Sequence, residues 1–265
     1  MPSMRLVATL VLAGAAPLAL SAAAPIGGEA AANVFLEGAP VLIAWPREAP
    51  ASAATAWRIL DDGGSTVAGG APAGPAAGRE PIDAGRLGIG WYRVEFLDGD
   101  GGCAGWTTAA VIAKLAAPVP RDSPVCLDTA VAWFARGNPL GQERHARLAA
   151  LAGVAWTRDR LSWRDMEPSK GAFAERTTYD TAAEAQTAHG LDVLQVFHDT
   201  PAWAADPTEK RGRFARDLRD VYRFCRAMGA RFAGRVRAWE PWNEANIESF
   251  GGHTAAEMRS EERRV

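Results

Sequence analysis

The stretch from 154 to 197 decides the fold: it reads VAWTR (154–158), TTYDTAAEAQTAH (177–189), Gly190 and LDVLQVF (191–197). Two apolar runs flank a segment of helical composition, and a glycine such as Gly190 is typical of a helix C-terminus. Strand, helix and strand at this spacing predict two parallel strands joined by a crossover helix.

The same alternation extends to both sides of this stretch. Further strands are predicted at 125–131 and 235–239, and further helices at 140–151 and 213–228. Four such units predict an α/β fold, the first half of a (β/α)8 TIM barrel over 123–265, because a complete barrel takes about 250 residues. The segment from His253 resembles the start of a fourth helix, so the chain is expected to be truncated. The alternative is a compact four-stranded sheet that folds alone.

Short strand signals separated by turns precede the barrel-like part. They predict a small Ig-like β-sandwich accessory domain over 33–116, followed by a linker at 116–120. In the clearest strand, Gly90–Leu97, alternation places Tyr92, Val94 and Phe96 on one face. Such a domain either binds sugars or covers one side of the catalytic domain, and we favour the second interpretation.

Residues 1–24 have the pattern of a secretory signal peptide. Arg5 gives the positive start, an apolar run follows to Leu20, and small residues end at Ala24. A membrane-spanning helix is the alternative, but the run is short and contains Gly14 and Pro17. The protein is therefore expected to be secreted or periplasmic, with no membrane span after signal removal.

Composition narrows the function classes. The net charge is −2 with acids and bases intermixed, which argues against a nucleic-acid partner. The chain has 10 Trp and 3 Tyr, and an indole is a flat surface on which a sugar ring stacks. The sequence contains no glycine-rich phosphate loop, no Ser-His-Asp arrangement and no metal-ligand spacing. No cofactor and no metal site are predicted.

The motif WEPWNEAN (239–246) carries the chemistry. It follows the fourth predicted strand, and barrel enzymes place catalysis at the carboxyl ends of their strands. Glycoside hydrolysis needs a carboxylic acid to protonate the departing oxygen, a role that suits Glu244. Asn243 would then bond a sugar hydroxyl beside the reacting carbon. Glu240, which precedes a proline, is expected to point into the barrel or pack near its base, without a catalytic role.

The chain resembles the retaining (β/α)8 glycoside hydrolases of the clan that includes families 5, 39 and 42, most closely family 39. Besides the Asn-Glu pair, GVAWTR (153–158), SWRDMEPSKG (162–171) and TPAW (200–203) resemble the second and third strands and their loops. The resemblance implies that Glu244 is the general acid/base, beside Asn243, and that Arg158, at the end of the second strand, supports the nucleophile. It implies a carbohydrate substrate.

The clan's nucleophile is a second Glu on a seventh strand, which is absent from this chain. Because retaining chemistry needs two carboxyl groups about 5 to 5.5 Å apart, the 265-residue chain alone is expected to be inactive.

Three further residues are predicted to bind substrate: His198, Trp203 and Trp242. A loop-stabilising hydrogen bond is the alternative for His198, and core packing is the alternative for the two indoles. A competing function also stays open, that of a secreted, non-catalytic carbohydrate-binding or structural protein.

Overall fold

The computed structural model describes residues 33–46, 50–73, 81–208 and 214–257. The predicted signal peptide lies outside the described residues, as does most of the helix predicted to start at His253. The chain divides into two compact units, Met1–Ile112 and Ala113–Val265. The domain limits predicted from the sequence, 33–116 and 123–265, stay a prediction.

The first unit is built of β-strands. Its strands are β1 (Val34–Leu36), β2 (Leu42–Ile43), β3 (Ala56–Leu60), β4 (Thr66–Gly70), β5 (Ile82–Asp83), β6 (Gly90–Leu97) and β7 (Cys103–Ile112). Five of them form one sheet in the order β1-β7-β6-β3-β4, in which β1 runs parallel to β7 and the other pairs are antiparallel. Strands β2 and β5 form a small antiparallel sheet. Ile43 and Ile82 of the small sheet share one hydrophobic cluster with the larger sheet.

The predicted alternation in β6 is confirmed, because Tyr92, Val94 and Phe96 are all buried. The opposite face of the strand is less exposed than its polar sequence indicates. Arg93 and Glu95 are also buried, and Arg93 Nε donates to Glu95 Oε1 at 2.7 Å. Burial raises the pKa of Glu95, but hydrogen bonds from Arg93 and Arg58 outweigh it, and the pKa lies below its ordinary value.

The second unit alternates strands and helices. Its strands are β8 (Cys126–Asp128), β9 (Trp156–Ser162), β10 (Asp192–His198) and β11 (Val236–Pro241). Its helices are α1 (Val131–Phe134), α2 (Pro139–Leu151), α3 (Trp163–Met166), α4 (Thr178–Ala188) and α5 (Leu218–Arg231). The four strands form one parallel sheet in the order β11-β10-β9-β8. The class is therefore mixed α/β, and within the described residues the sheet has four strands and does not close into a barrel.

The two faces of this sheet differ in chemistry. Alternate residues of a strand point to opposite faces, and one face packs against helices: Phe197 of β10 contacts Phe224 of α5, and Leu161 of β9 joins the same hydrophobic cluster. The other face carries Arg158 and Arg160 of β9 together with Glu240 of β11. Arg158, Arg160 and Glu240 thus lie on the face opposite Leu161 and Phe197, which is called the open face below.

Side-chain caps fix where the three long helices begin. Asn138 caps α2 by accepting from the Gly141 N–H at 2.9 Å, and Asp217 caps α5 in the same way. Thr177 and Asp180 form a reciprocal capping box at α4. Each cap satisfies N–H groups that a helix start leaves without an intrahelical partner. Among the described residues, no helix combines the length and the apolar character needed to cross a bilayer.

Two strand limits differ from the prediction by three residues or more, and β11 ends at Pro241 instead of Trp239. The first parallel strand ends at Asp128 and not at Val131, because Ala130 adopts φ 43° and α1 starts immediately after it. The second strand continues to Ser162. Arg158 was expected at the end of this strand, but it lies in the middle of β9. The charged run at 158–160 is accommodated inside the sheet because each of its side chains is paired.

Candidate functional site

Unusual backbone conformations collect where the parallel strands end. Four of the five non-glycine residues with positive φ among the described residues follow β8, β10 or β11: Ala130 (43°), Asp199 (64°), Trp242 (68°) and Glu244 (44°). Such conformations cost on the order of 1–3 kcal/mol each and persist where the surrounding structure holds them, often at functional sites. Their position marks this edge of the sheet as the candidate site.

Arg158 is the centre of the polar cluster on the open face. Its Nε and Nη2 donate to the two carboxylate oxygens of Glu240 at 2.8 and 2.7 Å, and its Nη1 donates to Asp128 at 3.0 Å. The hydrogen bonds to Glu240 raise the pKa of Arg158 above its ordinary value although burial lowers it. The guanidinium therefore stays charged and links three strands of the sheet, β8, β9 and β11.

Arg158 also orients the predicted catalytic pair. Its Nη2 donates to Asn243 Oδ1 at 3.0 Å. Because a guanidinium only donates hydrogen bonds, the amide oxygen must face Arg158 and the amide nitrogen must face the other way. That nitrogen lies 3.4 Å from Glu244 Oε2. The structure thus brings together Arg158, Asn243 and Glu244, with Asn243 buried and Glu244 exposed.

His198 lies at the end of β10 and is 2% exposed. Its ring lies between Trp133 and Phe250, at centroid distances of 5.1 and 5.6 Å. Nδ1 is 3.0 Å from Asp199 Oδ1, and Nε2 has no hydrogen-bond partner in the part of the chain that the structure describes. Burial raises the pKa of Asp199, but the proximity of His198 and Arg164 outweighs it, and the pKa lies below its ordinary value.

The two predicted tryptophan platforms have few free surfaces. Trp242 is 4% exposed, its ring packs against Phe214 at 4.8 Å, and its Nε1 donates to the Phe250 carbonyl oxygen. Trp203 packs edge-on against Trp163 at 5.8 Å and donates to a backbone carbonyl oxygen. In this structure both indoles therefore contribute mainly to packing around the site, and their role as sugar platforms stays a prediction.

Sequence reasoning missed the two acids that hold Arg158. Asp128 was not singled out, and Glu240 was expected to point into the barrel or to pack near its base. The signal for Glu240 was the alternation along β11. It puts Ala238 and Glu240 on one face of the sheet, the face on which Arg158 of β9 also lies. The sequence carries no such signal for Asp128, because the first strand was predicted to continue to Val131, whereas in the structure Asp128 ends β8 in register with Arg158.

The described residues hold no group of three or more His, Cys, Asp or Glu side chains placed to bind a metal ion. The two carboxylates beside Arg158 are occupied by the guanidinium. The chemistry available at this edge is therefore that of an exposed carboxyl group, an oriented amide and a fixed cation.

Comparison with known proteins agrees with this fold. No protein family's sequence model matches the chain, and no curated protein matches it. Among solved structures, the chain is similar to a family 39 glycoside hydrolase from the gut symbiont Bacteroides cellulosilyticus WH2, with a TM-score of 0.58 and 18% identity. The match covers 82% of this chain and 43% of that chain, so this chain spans less than half the length of that structure. The fold resembles that of a glycoside hydrolase.

Proposed function

We propose that this chain carries the acid/base half of a retaining site that hydrolyses O-glycosidic bonds in oligo- or polysaccharides. The observation that supports this function is the arrangement of Asn243 and Glu244 directly after β11, with Asn243 held by Arg158 at 3.0 Å. The similarity to a family 39 glycoside hydrolase supports the same class of reaction. A secreted or periplasmic location is part of the proposal.

In this proposal Glu244 first acts as an acid and then as a base. It donates its proton to the departing glycosidic oxygen, and later takes a proton from the water that releases the sugar. Asn243 presents its amide nitrogen on the side of Glu244, where it donates to a hydroxyl of the reacting sugar. Arg158 contacts neither the glycosidic oxygen nor the sugar hydroxyl, and it acts as a positioning residue.

The nucleophile is proposed to lie outside the residues that the structure describes. Among the described residues, Asp128 and Glu240 approach the cluster most directly, and both bind the Arg158 guanidinium. Both oxygens of Glu240 accept from Arg158 and both oxygens of Asp128 accept from Arg160, so neither carboxylate has an oxygen free of a hydrogen bond for attack on an anomeric carbon. We therefore propose that the 265-residue chain alone binds glycans but does not turn them over.

The first test measures the 265-residue protein on a panel of nitrophenyl glycosides. The expected result is no turnover above that of the Glu244→Gln variant. Turnover that disappears with Glu244→Gln would contradict the half-site proposal, because it would require a second catalytic carboxylate within the chain. Turnover that persists in that variant would contradict the role of Glu244 itself.

The second test uses the product of the parent gene read past the codon for Val265, if the frame continues. There Glu244→Gln is expected to lower turnover of alkyl glycosides by about 10²–10⁴-fold. Dinitrophenyl glycosides should lose far less in the first step, since their leaving group needs no proton. The matched control is Glu248→Gln, an exposed acid one turn further along the chain. Equal loss with both substrate classes would contradict the role of Glu244 as the proton donor, whereas sugar binding without turnover, unchanged in Glu244→Gln, would favour the non-catalytic, carbohydrate-binding function.

A further inference from the structure

A cavity of about 310 Å³ opens at the same edge of the parallel sheet, within the second unit. Its lining comes from three helices, the end of β9 and the segments that follow α1 and β10: Trp133 of α1, Arg164 and Asp165 of α3, Tyr179 of α4, Ser162, Arg136 and Asp199. The candidate site residues Arg158, Asn243 and Glu244 do not line this cavity. Its volume lies at the lower end of the range of small-molecule sites.

The charged groups in the cavity occur as two ion pairs. Arg136 Nη2 donates to Asp165 Oδ2 at 2.8 Å, and Arg164 Nη2 lies 3.4 Å from Asp199 Oδ2. Tyr179 also donates its hydroxyl proton to Asp165 Oδ2 at 2.7 Å. Two cations and two anions cancel, so the cavity offers both donors and acceptors without a net charge. An ion of either sign would meet a like charge beside each partner, whereas a neutral ligand with several hydroxyl groups would not.

An aromatic face completes the cavity. The indole of Trp133 is 36% exposed, although α1 is buried on its other side. The indole contacts the His198 ring in a T-shaped arrangement at a centroid distance of 5.1 Å, and the Arg160 guanidinium lies over the indole at 5.5 Å. A partly exposed indole held in place offers an apolar surface at low cost in conformational entropy.

We infer that this cavity binds a single neutral sugar ring, stacked on Trp133, with its hydroxyl groups bonded by the Arg136–Asp165 and Arg164–Asp199 pairs. Stacking uses the apolar C–H face of the ring, and the ion pairs take the hydroxyl groups around its rim. The inference deepens the proposed function in its ligand class, but it does not depend on catalysis by Glu244. Because Trp133 contacts His198, the cavity would hold a sugar unit that neighbours the candidate active site.

The test is ligand-observed saturation-transfer NMR on the 265-residue protein. The probes are methyl β-D-glucopyranoside, methyl β-D-galactopyranoside and methyl β-D-mannopyranoside, with sodium glucuronate as the acidic counterpart. At least one neutral methyl glycoside is expected to bind, with the strongest transfer to the ring protons of one face. Trp133→Ala is expected to weaken that binding by about tenfold or more, and Arg164→Gln is expected to weaken it as well. Circular dichroism verifies that each variant is folded.

Phe134→Ala is the matched control, because Phe134 is the next residue in α1, is 78% exposed and does not line the cavity. It should leave binding unchanged. Binding that survives both Trp133→Ala and Arg164→Gln, or binding of glucuronate alone, would overturn the inference. So would the absence of binding by all three neutral glycosides. The two proposals can fail separately. If the cavity binds sugar but turnover does not depend on Glu244, this inference holds and the proposed catalytic role of Glu244 is wrong.

Discussion

Asp159 is a carboxylate in the middle of β9 with almost no access to water, at 1% exposed. It accepts hydrogen bonds from the N–H groups of Ala132 and Arg160 and from Gln186 Nε2. Thr157 in turn donates to Gln186 Oε1 at 2.7 Å. This buried network ties β9 to the first turn of α1 and to α4. Burial raises the pKa of Asp159 to about 6, although the hydrogen bonds to the carboxylate oppose the shift.

The raised pKa makes stability depend on pH in a defined direction. In the unfolded chain an Asp has a pKa of about 3.9, so between that value and about 6 the folded protein binds the additional proton. The stabilising contribution of protonated Asp159 is complete below about pH 4 and is lost as the pH rises through 6. Relative to Asp159→Asn, the free energy of unfolding of the wild-type protein should fall by up to about 3 kcal/mol between pH 4 and 7.5.

Urea unfolding followed at pH 4 and 7.5 measures this difference. The Asn side chain fits if the Gln186 amide turns over, because Thr157 can accept as well as donate. Asp122→Asn, an exposed acid of the same unit, is the control and should show no such trend. A wild-type to Asp159→Asn difference that is constant with pH would contradict the raised pKa.

Arg231 joins two helices of the second unit. Its Nε and Nη2 donate to the two oxygens of Asp180 at 2.9 and 2.7 Å, and Asp180 belongs to the capping box of α4. Nη1 and Nη2 also donate to the carbonyl oxygens of Ala174 and Glu175. One guanidinium at the end of α5 thus holds the start of α4 and the loop before it.

Replacing this side chain should therefore destabilise the unit more than replacing an exposed arginine. Arg231→Met leaves Asp180 buried without its cation and is expected to cost about 2–3 kcal/mol of unfolding free energy. The matched control, Arg237→Met, removes a largely exposed arginine whose ion pair with Asp192 is 3.2 Å long, and should cost less than about 1 kcal/mol. Denaturant unfolding of both variants measures the two losses in unfolding free energy. Equal losses would contradict the bridging role of Arg231.

The long elements were predictable because their patterns are local. Helix α4 was predicted at 177–189 and β10 at 191–197, and both lie within one residue of the structure. Short elements were missed: α1 and α3 have four residues each, too few for a helical period to show. The prediction for β9 ended at Arg158, and Asp159 and Arg160 were expected to pair with neighbours. In the structure Asp159 bonds Gln186 and Arg160 bonds Asp128, and a local pattern does not contain such distant partners.

The candidate site was predictable in its residue types and less so in its contacts. Asn243 and Glu244 follow a strand, as the motif indicates. The amide orientation depends on Arg158, 85 residues earlier in the chain, and Arg158 depends on Asp128 and Glu240. These contacts depend on the order of the strands in the sheet. A local sequence pattern does not contain that order, so it does not predict the contacts.

At the scale of the whole molecule, the apolar residues form separate clusters in the two units. Ile59 belongs to the cluster of the first unit and Leu161 to that of the second, and both are fully buried. Separate clusters predict two thermal transitions. Ile59→Ala and Leu161→Ala should each cost about 2–5 kcal/mol, which lowers a different transition in each variant by on the order of 10 °C.

Differential scanning calorimetry of the wild-type protein and both variants measures these shifts. The control is Val67→Ala, since Val67 is a largely exposed residue of β4 and its loss should move neither transition strongly. A single transition that both core variants lower to the same extent would mean that the two units unfold as one.

The Arg158 cluster also bears on how the sequence can drift. Arg158 bonds two acids that lie on strands separated by others in the sheet, and Asp128 also accepts from Arg160. Losing Arg158 would leave Glu240 without its cation, and losing Glu240 would release the arginine that orients Asn243. Neutral single substitutions are therefore scarce at these positions. Among relatives, positions 128, 158 and 240 are expected to change together or to stay as they are. Covariation at these three positions would therefore reflect the ion pairs that join the strands of the sheet, and not a catalytic role.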